Sequence, residues 1–478
     1  MKQFEENRLA EKTVGLWLLV GQGISGIAPL VAMTSVLTAS AIYAGGSVTL
    51  SYILGLMVVF LIVNTIYQYS IRTASAGGYY TFISKSLGPR MGFVTGWIYI
   101  IYGLGVLLNE PIFYGLMVQL SIPYFFGIKL PSYTWLIIVI AFLLVELMIT
   151  IRGIKISLRY TLISSLIELS LILLFSIVVI VEAGQSNSYL PFTPSLSPTG
   201  WQGVFYGLFF SMLAFAGYDT TVNIAEEAKV PEKTIGRAVI IQVLLTGFVF
   251  IIMAYATTIG WGMYNMDTFA TSITNGISIP GVLLVYKYLG IVAVITMLVL
   301  VGNSTISSST SFLNAVGRNL FALGREVLPK SLARVSRKYK TPYISLSIMS
   351  ISSVFIIIIS AFAMNAINDV SQTLNLFLIA ATIATLGTIT MQILINFALP
   401  FYSRNFTKKS IIFHIVLPIT AFAFLLGALY ASVWPPSFPV EFAPIIFIIW
   451  ALIGVIMVLI IGRDKKKLFR IGSIRMDF

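Results

Sequence analysis

Twelve stretches of about 20 or more mostly apolar residues follow one another along this chain, each closed by a charged or Pro/Gly-rich break, and about 20 is the length a helix needs to cross a bilayer. They fall near residues 14–40, 47–70, 91–120, 132–151, 158–182, 201–225, 237–260, 281–316, 342–365, 371–400, 411–433 and 441–462. Of the 478 residues, 58% are hydrophobic and 10% charged, too little polar surface to cover a soluble globule. Lipid must solvate the chain. The pattern predicts an all-α polytopic membrane protein with a tail at 1–13, a twelve-helix domain at 14–462 and a second tail at 463–478.

The net charge of +13 invites a nucleic-acid reading until its distribution is considered. All of the 30 Lys and Arg residues except Lys129 and Lys287 fall in the two tails and in the alternate loops on the tail side. That asymmetry is the positive-inside rule, so both termini are expected to be cytoplasmic, in a multi-pass protein of the cell membrane. The segment MKQFEENRLAEK is polar and has no small-residue cleavage site, so the first span is expected to be retained. Absence of cysteine excludes disulfides, thiolate metal sites and a thiol nucleophile. No P-loop and no histidine cluster occur, and His414 at the start of the eleventh span reads as interfacial. The chain therefore reads as neither an enzyme nor an ATP-driven pump. Lys465–Lys467 reads as a contact for anionic lipid, and 325–340 as a loop with a short amphipathic helix.

Two spans are expected to break near mid-depth. The sixth places Gly217 and then Asp219 near its middle, within Ala214-Phe215-Ala216-Gly217-Tyr218-Asp219, and leaves the membrane through Glu226-Glu227 and Pro231. An ionised carboxylate at mid-bilayer costs at least about 3 kcal/mol on insertion scales, so it must face a polar interior or a partner. The first span combines Gly26 with Pro29 in Ser25-Gly26-Ile27-Ala28-Pro29, at a similar depth. Two breaks five spans apart fit an inverted repeat: spans 1–5 (about 14–182), spans 6–10 (about 201–400) and two extra helices (about 411–462). A proline kink on a glycine packing face is the plainer alternative for the first break.

Three stretches carry a family resemblance. They are the sixth-span run just quoted, Ser75-Ala76-Gly77-Gly78-Tyr79-Tyr80-Thr81 with Leu87-Gly88-Pro89-Arg90, and Gly317-Arg318-Asn319-Leu320-Phe321-Ala322-Leu323-Gly324-Arg325-Glu326. Together they resemble the amino acid–polyamine–organocation (APC) superfamily, from about residue 12 to about 460. The resemblance implies a LeuT-like 5+5 fold with broken helices 1 and 6. It also implies an amino acid substrate whose carboxylate meets the first-span backbone at Ser25, Gly26, Ile27, Ala28 and Pro29, and whose amine meets sixth-span carbonyls at Leu213, Ala214, Phe215 and Ala216. Relatives carry a gating aromatic where Leu213 stands; Phe209, Phe210 and Phe215 are the nearby substitutes. Proton-coupled relatives have a lysine near the position of Glu168.

Glu168, in LISSLIELSLILL, shares a helix face with Thr161 and Ser165. It is the first candidate for carrying a coupling proton, against an interhelical hydrogen bond as the alternative. Asp219 is the second, against a structural role in accepting bonds from freed backbone or capping the second half-helix. Glu110, in Asn109-Glu110-Pro111, is a candidate for a cationic substrate end; pairing with Lys287 or lining a vestibule is favoured. Ser304, Ser308 and Ser311 share one face of the eighth span; Ser304 and Ser308 are possible sodium contacts, with close helix packing favoured. The reading is a secondary amino acid transporter working by alternating access, a proton symporter without a cofactor. Its rivals are a cationic amino acid or polyamine exchanger, a sodium symporter, and a receptor built like a transporter.

Overall fold

Proline and glycine set where the helices begin and end. The structure is a computed structural model and describes residues 9–272, 278–434 and 438–478. The first span is three helices in series, α1 (Leu16–Ile27), α2 (Pro29–Thr34) and α3 (Val36–Ala44). A short turn at Gly45–Ser47 leads into α4 (Val48–Ser70), followed by strand β1 (Thr73–Ala74) and the short helix α5 (Tyr79–Leu87). Then come α6 (Pro89–Phe126), α7 (Thr134–Ile151) and α8 (Ile154–Ala183). Pro89 stands at the start of α6, where its missing N–H is an orphan in any helix. Gly127 closes α6 in the left-handed conformation. The helix runs unbroken through Pro111.

The second half contains α9 (Trp201–Leu213), α10 (Pro231–Trp261), α11 (Met266–Thr271), α12 (Pro280–Glu326), α13 (Tyr343–Ala363) and α14 (Val370–Tyr402). It ends with α15 (Leu417–Val433), α16 (Phe442–Ile461), α17 (Lys465–Arg470) and strand β2 (Met476–Asp477). Eleven helical segments among the described residues are long and apolar enough to cross a membrane. The expected sixth span is not one of them, because α9 stops at Leu213 and the chain continues from Tyr218 to Glu227 as a 3₁₀ helix.

Two other expectations differ from the fold. The 325–340 loop forms only one 3₁₀ turn, at Lys330–Ala333, because α12 continues through Glu326 and takes up the start of the segment. His414 is buried: its ring lies in a π-helical turn at Ile412–Val416, and Nε2 bonds Gln68 Oε1 at 3.0 Å.

Burial separates the centre from the lipid boundary. In the most apolar window of α6, 83% of the residues are buried, against 17% in α16. Helix α6 is therefore a central post, packed on α14 and α12, and α16 is a boundary helix. Helix α1 packs on α8, α10 and α12. Both ends of the described chain gather on one face, called here the terminal face. Val14 bridges Ala228, and β1 pairs antiparallel with β2. Glu326, at the end of α12, accepts the Gly472 and Ile474 N–H groups.

Candidate functional site

The first span breaks at Ala28, which adopts left-handed φ 51°, ψ 66° between α1 and α2. For a residue with a Cβ that conformation costs about 1–2 kcal/mol, so the surroundings must hold it. The following Pro29 brings no N–H to continue the helix. The sixth span breaks at Ala214–Gly217, with Gly217 at φ 107°. Bonds from Ala214, Phe215 and Ala216 N–H to Ser211, Met212 and Leu213 carbonyls tighten the end of α9.

The two breaks touch. A Cβ at Gly26 would lie 2.5 Å from the Gly217 carbonyl oxygen, and one at Gly217 would fall on the Gly26 carbonyl. Thr220 and Thr221 Oγ1 donate to the Gln22 and Leu19 carbonyls of α1 at 3.4 and 3.1 Å. Gln242 of α10 donates from Nε2 to Tyr218 O at 2.7 Å and accepts from Thr221 Oγ1 at 3.2 Å. Gly217→Ala is therefore expected to lower the thermal midpoint of the detergent-solubilised protein sharply, since the added Cβ falls on the Gly26 carbonyl. Gly200→Ala is the control: its φ of 60° also disfavours a side chain, but nothing lies within 4 Å of the added Cβ. It is expected to melt much nearer the parent.

The serine face of α12 lies along α1. Ser25 and Ser307 hydroxyls are 2.5 Å apart, Ser308 Oγ donates to Gly26 O at 3.3 Å, and Gln22 Nε2 donates to Ser311 O at 2.9 Å. Ser304 Oγ instead donates to Glu168 Oε2 at 2.6 Å, while Ser164 Oγ donates to Glu168 Oε1 at 2.7 Å. The Leu30 N–H, freed by the first break, also acts on the Glu168 carboxyl. A line of polar groups continues outward, with Asn303 donating to Ser164 and Tyr160 donating to Asn303. Glu168 is fully buried.

Asp219 is fully buried on the opposite side of the sixth-span break. Tyr102 and Tyr99 of α6 donate to its Oδ1 and Oδ2 at 3.2 and 3.3 Å. The backbone N–H groups of Asp219 itself and of Gly217 also act on this carboxyl, in line with acceptance from backbone freed at the break. Among the substrate-contact candidates, Ser25, Gly26, Ile27, Ala28, Pro29, Ala214 and Phe215 are buried, whereas Leu213, Ala216 and Glu110 keep partial exposure. The aromatics near Leu213 are packed away from the break. Phe210 stacks on Tyr43 and Phe215 lies against Phe250, while Phe209 approaches Gly427. Glu110 does not pair with Lys287, whose Nζ donates to Gly260 O at 2.7 Å. Instead Glu110 lies beside Ser308, with Oε2 enclosed and without a hydrogen-bond partner.

The charged exit of the sixth span is not a solvated run. Glu227 and Arg318 form a fully buried bidentate pair, at 2.6 and 2.9 Å, and Arg318 Nη1 also donates to Asn314 O. Glu226 pairs with Arg325 and accepts the Ala76 N–H at 2.9 Å. The three stretches that carry the resemblance are thus assembled at one place on the terminal face. Tyr99 and Tyr102 have no local sequence signal beyond their i, i+3 spacing, and the motif that holds Arg318 and Arg325 does not say which glutamate each one meets.

A bundle of lipid-bounded helices in which two broken segments abut, with buried carboxylates beside the breaks, is the architecture of a membrane transport protein. The amino acid permease family model matches residues 16–470, and the chain belongs to that family, within the APC superfamily. The branched-chain amino acid permease BcaP of Bacillus subtilis is 24% identical over 95% of this chain and 92% of its own length. The low-affinity putrescine importer PlaP of Escherichia coli is 24% identical over 83% of this chain and 82% of its own. A methylthioribose transporter of Bacillus subtilis is 24% identical over 69% of each chain.

Proposed function

We propose that this permease is a proton-coupled amino acid symporter of the cell membrane, built as a LeuT-like 5+5 inverted repeat and working by alternating access. The observation that carries the coupling is Glu168: a buried carboxyl held by Ser164 and Ser304 that also meets the Leu30 N–H freed at the first break. Substrate carboxylate brought to the same break would meet this acid. Two negative charges at close quarters in a low-dielectric site repel strongly, so substrate enters together with a proton that neutralises Glu168. Release of the proton on the far side restores the repulsion and expels the substrate. Asp219, held by two tyrosine hydroxyls, is the second acid able to take a proton. The amine is assigned to the carbonyls of Ala214–Ala216, since Leu213 O already accepts from Ala216 N–H.

The likeness to the branched-chain amino acid permease BcaP supports isoleucine as the substrate to try, and the test is accumulation of labelled isoleucine in proteoliposomes under an inward proton gradient without sodium. One proton per substrate gives about tenfold accumulation for each pH unit, since about 1.4 kcal/mol is a factor of ten. Accumulation that follows an imposed sodium gradient and ignores protons would overturn the coupling and direct attention to Ser304 and Ser308. A second reading, a cationic substrate, draws on the unpartnered Oε2 of Glu110. It predicts that labelled putrescine is carried and that Glu110→Gln removes its transport while sparing isoleucine.

A further inference from the structure

Helix α7 lies at the lipid boundary, with only 28% of its most apolar window buried, yet its one charged residue is completely enclosed. Glu146 has 0% exposure, and neither carboxyl oxygen has a hydrogen-bond partner. Ser309 of α12 acts on it, and that hydroxyl too is without a partner. A carboxylate enclosed in this way, with one serine hydroxyl beside it and no cation, is not sustained in a membrane interior. The group must hold a proton.

Glu146 is the third of three acids arranged along α12. Glu168 of α8 is bonded to Ser304. Glu110 of α6 lies beside Ser308 and within electrostatic range of Glu168. Glu146 lies beside Ser309 and within electrostatic range of Glu110. Ser304 and Ser308 are one turn apart, and Ser309 is the next residue, so the acids are reached in order toward the terminal face. Glu146 is five residues from Ile151, about 8 Å along the helix. Ile151 belongs to the terminal face, where its carbonyl accepts from Thr341 Oγ1.

The elements packed on α7 bring no cation to this point. Helix α6 contributes Glu110 and Tyr114, the latter stacked on Phe142 one turn from Glu146. Helix α8 contributes Glu168 and Tyr160, its Lys155 and Arg159 being exposed. Helix α12 has no titratable residue between Gly290 and Arg318, and α13 has none after Tyr343. The hydrogen bonding is graded in the same order. Glu168 has two hydroxyl donors and is equipped to be left ionised, whereas Glu110 Oε2 and both Glu146 oxygens have none.

We propose that Glu146 is a proton-binding site and, with Glu110, gives the coupling proton an exit from Glu168 to the terminal face apart from the substrate's path. In one passage Glu146 gives its proton to water at that face and is reprotonated by Glu110. Glu110 in turn takes the proton of Glu168, leaving a carboxylate on Ser164 and Ser304. This inference rests on the proton-coupled reading above.

The experiment uses the full chain in proteoliposomes, with Glu146→Gln and Glu146→Asp. The glutamine variant is expected to keep isoleucine counterflow, which needs no net proton movement. Its initial rate of proton-driven uptake is expected to fall roughly tenfold or more, as loss of a positioned proton carrier does, and aspartate should restore part of it. Dicyclohexylcarbodiimide, which modifies protonated carboxyls in apolar surroundings, should label Glu146 in the parent, as read by peptide mass spectrometry. A parent driven by protons through Glu168, with Glu146→Gln equally fast, overturns the exit route alone. A parent indifferent to the proton gradient overturns the coupling and the route together. If the glutamine variant also loses counterflow, labelling decides: an unlabelled Glu146 overturns the proton site.

Discussion

Arg318→Ala is expected to lower stability by about 3–5 kcal/mol, the usual result of removing one partner from a buried ion pair. The cost comes less from the lost attraction than from Glu227, whose carboxylate is fully buried and would be left without its two guanidinium bonds. The consequence should appear as a large drop in the thermal midpoint of the detergent-solubilised protein. A double variant separates pair from partner. Arg318→Met with Glu227→Gln removes both charges while keeping bulk, and replacing a buried pair by neutral groups is often neutral or stabilising. The double variant should therefore melt near the parent, with both single variants well below it. Equal losses in the single and double variants would mean that Arg318 acts through Asn314 and packing rather than through Glu227. Transport by the double variant is a separate readout. The pair joins the exit of the sixth span to α12; on the alternating-access reading proposed above the bundle parts here, and it should part more readily without the pair.

The breaks themselves were legible because they are local chemistry. Pro29 cannot continue a hydrogen-bond ladder, and Gly217 can adopt a φ of 107° without a Cβ. Helix starts at Pro89, Pro231 and Pro280 follow from the same property. The partners of the charged groups were not legible in this way. Glu227 and Arg318 are 91 residues apart, and a run containing two glutamates does not say which arginine each one finds. Tyr99 and Tyr102 read as ordinary membrane aromatics, since their spacing defines a face but not what that face meets. Glu146 lacks even that signal: it stands alone in an apolar span, beside no glycine or proline break and outside the motifs of the resemblance. The 3₁₀ form of Tyr218–Glu227 was also unreadable. A run of ten residues is unusual for that helix, and here contacts from Thr220, Thr221 and Gln242 to α1 and the chain itself hold it.

Glu168→Gln is expected to abolish proton-driven accumulation of isoleucine while sparing counterflow. Glutamine keeps the shape of the side chain and an amide oxygen that can accept from Ser164 and Ser304, so the packing between α8 and α12 is preserved. What it cannot do is change charge. On the mechanism proposed above, the ionised acid at the first break opposes the substrate carboxylate and the protonated acid admits it, whereas the amide would admit substrate at any pH. Binding should therefore become insensitive to pH, and substrate should equilibrate across the bilayer without following the proton gradient. The size of the effect is fixed by the gradient: two pH units correspond to about a hundredfold accumulation for one proton per substrate, and the variant should show none of it. Asp219→Asn is the internal comparison. Its carboxylate accepts from Tyr99 and Tyr102, and an amide oriented to accept one of these bonds presents an N–H₂ donor where the other hydroxyl donates. That variant is expected to lose counterflow along with accumulation, because it disturbs the junction of the sixth-span break with α6. If instead Asp219→Asn uncouples cleanly and Glu168→Gln accumulates substrate like the parent, the coupling proton belongs to Asp219, and Glu168 is a structural tie between α8, α12 and the first break.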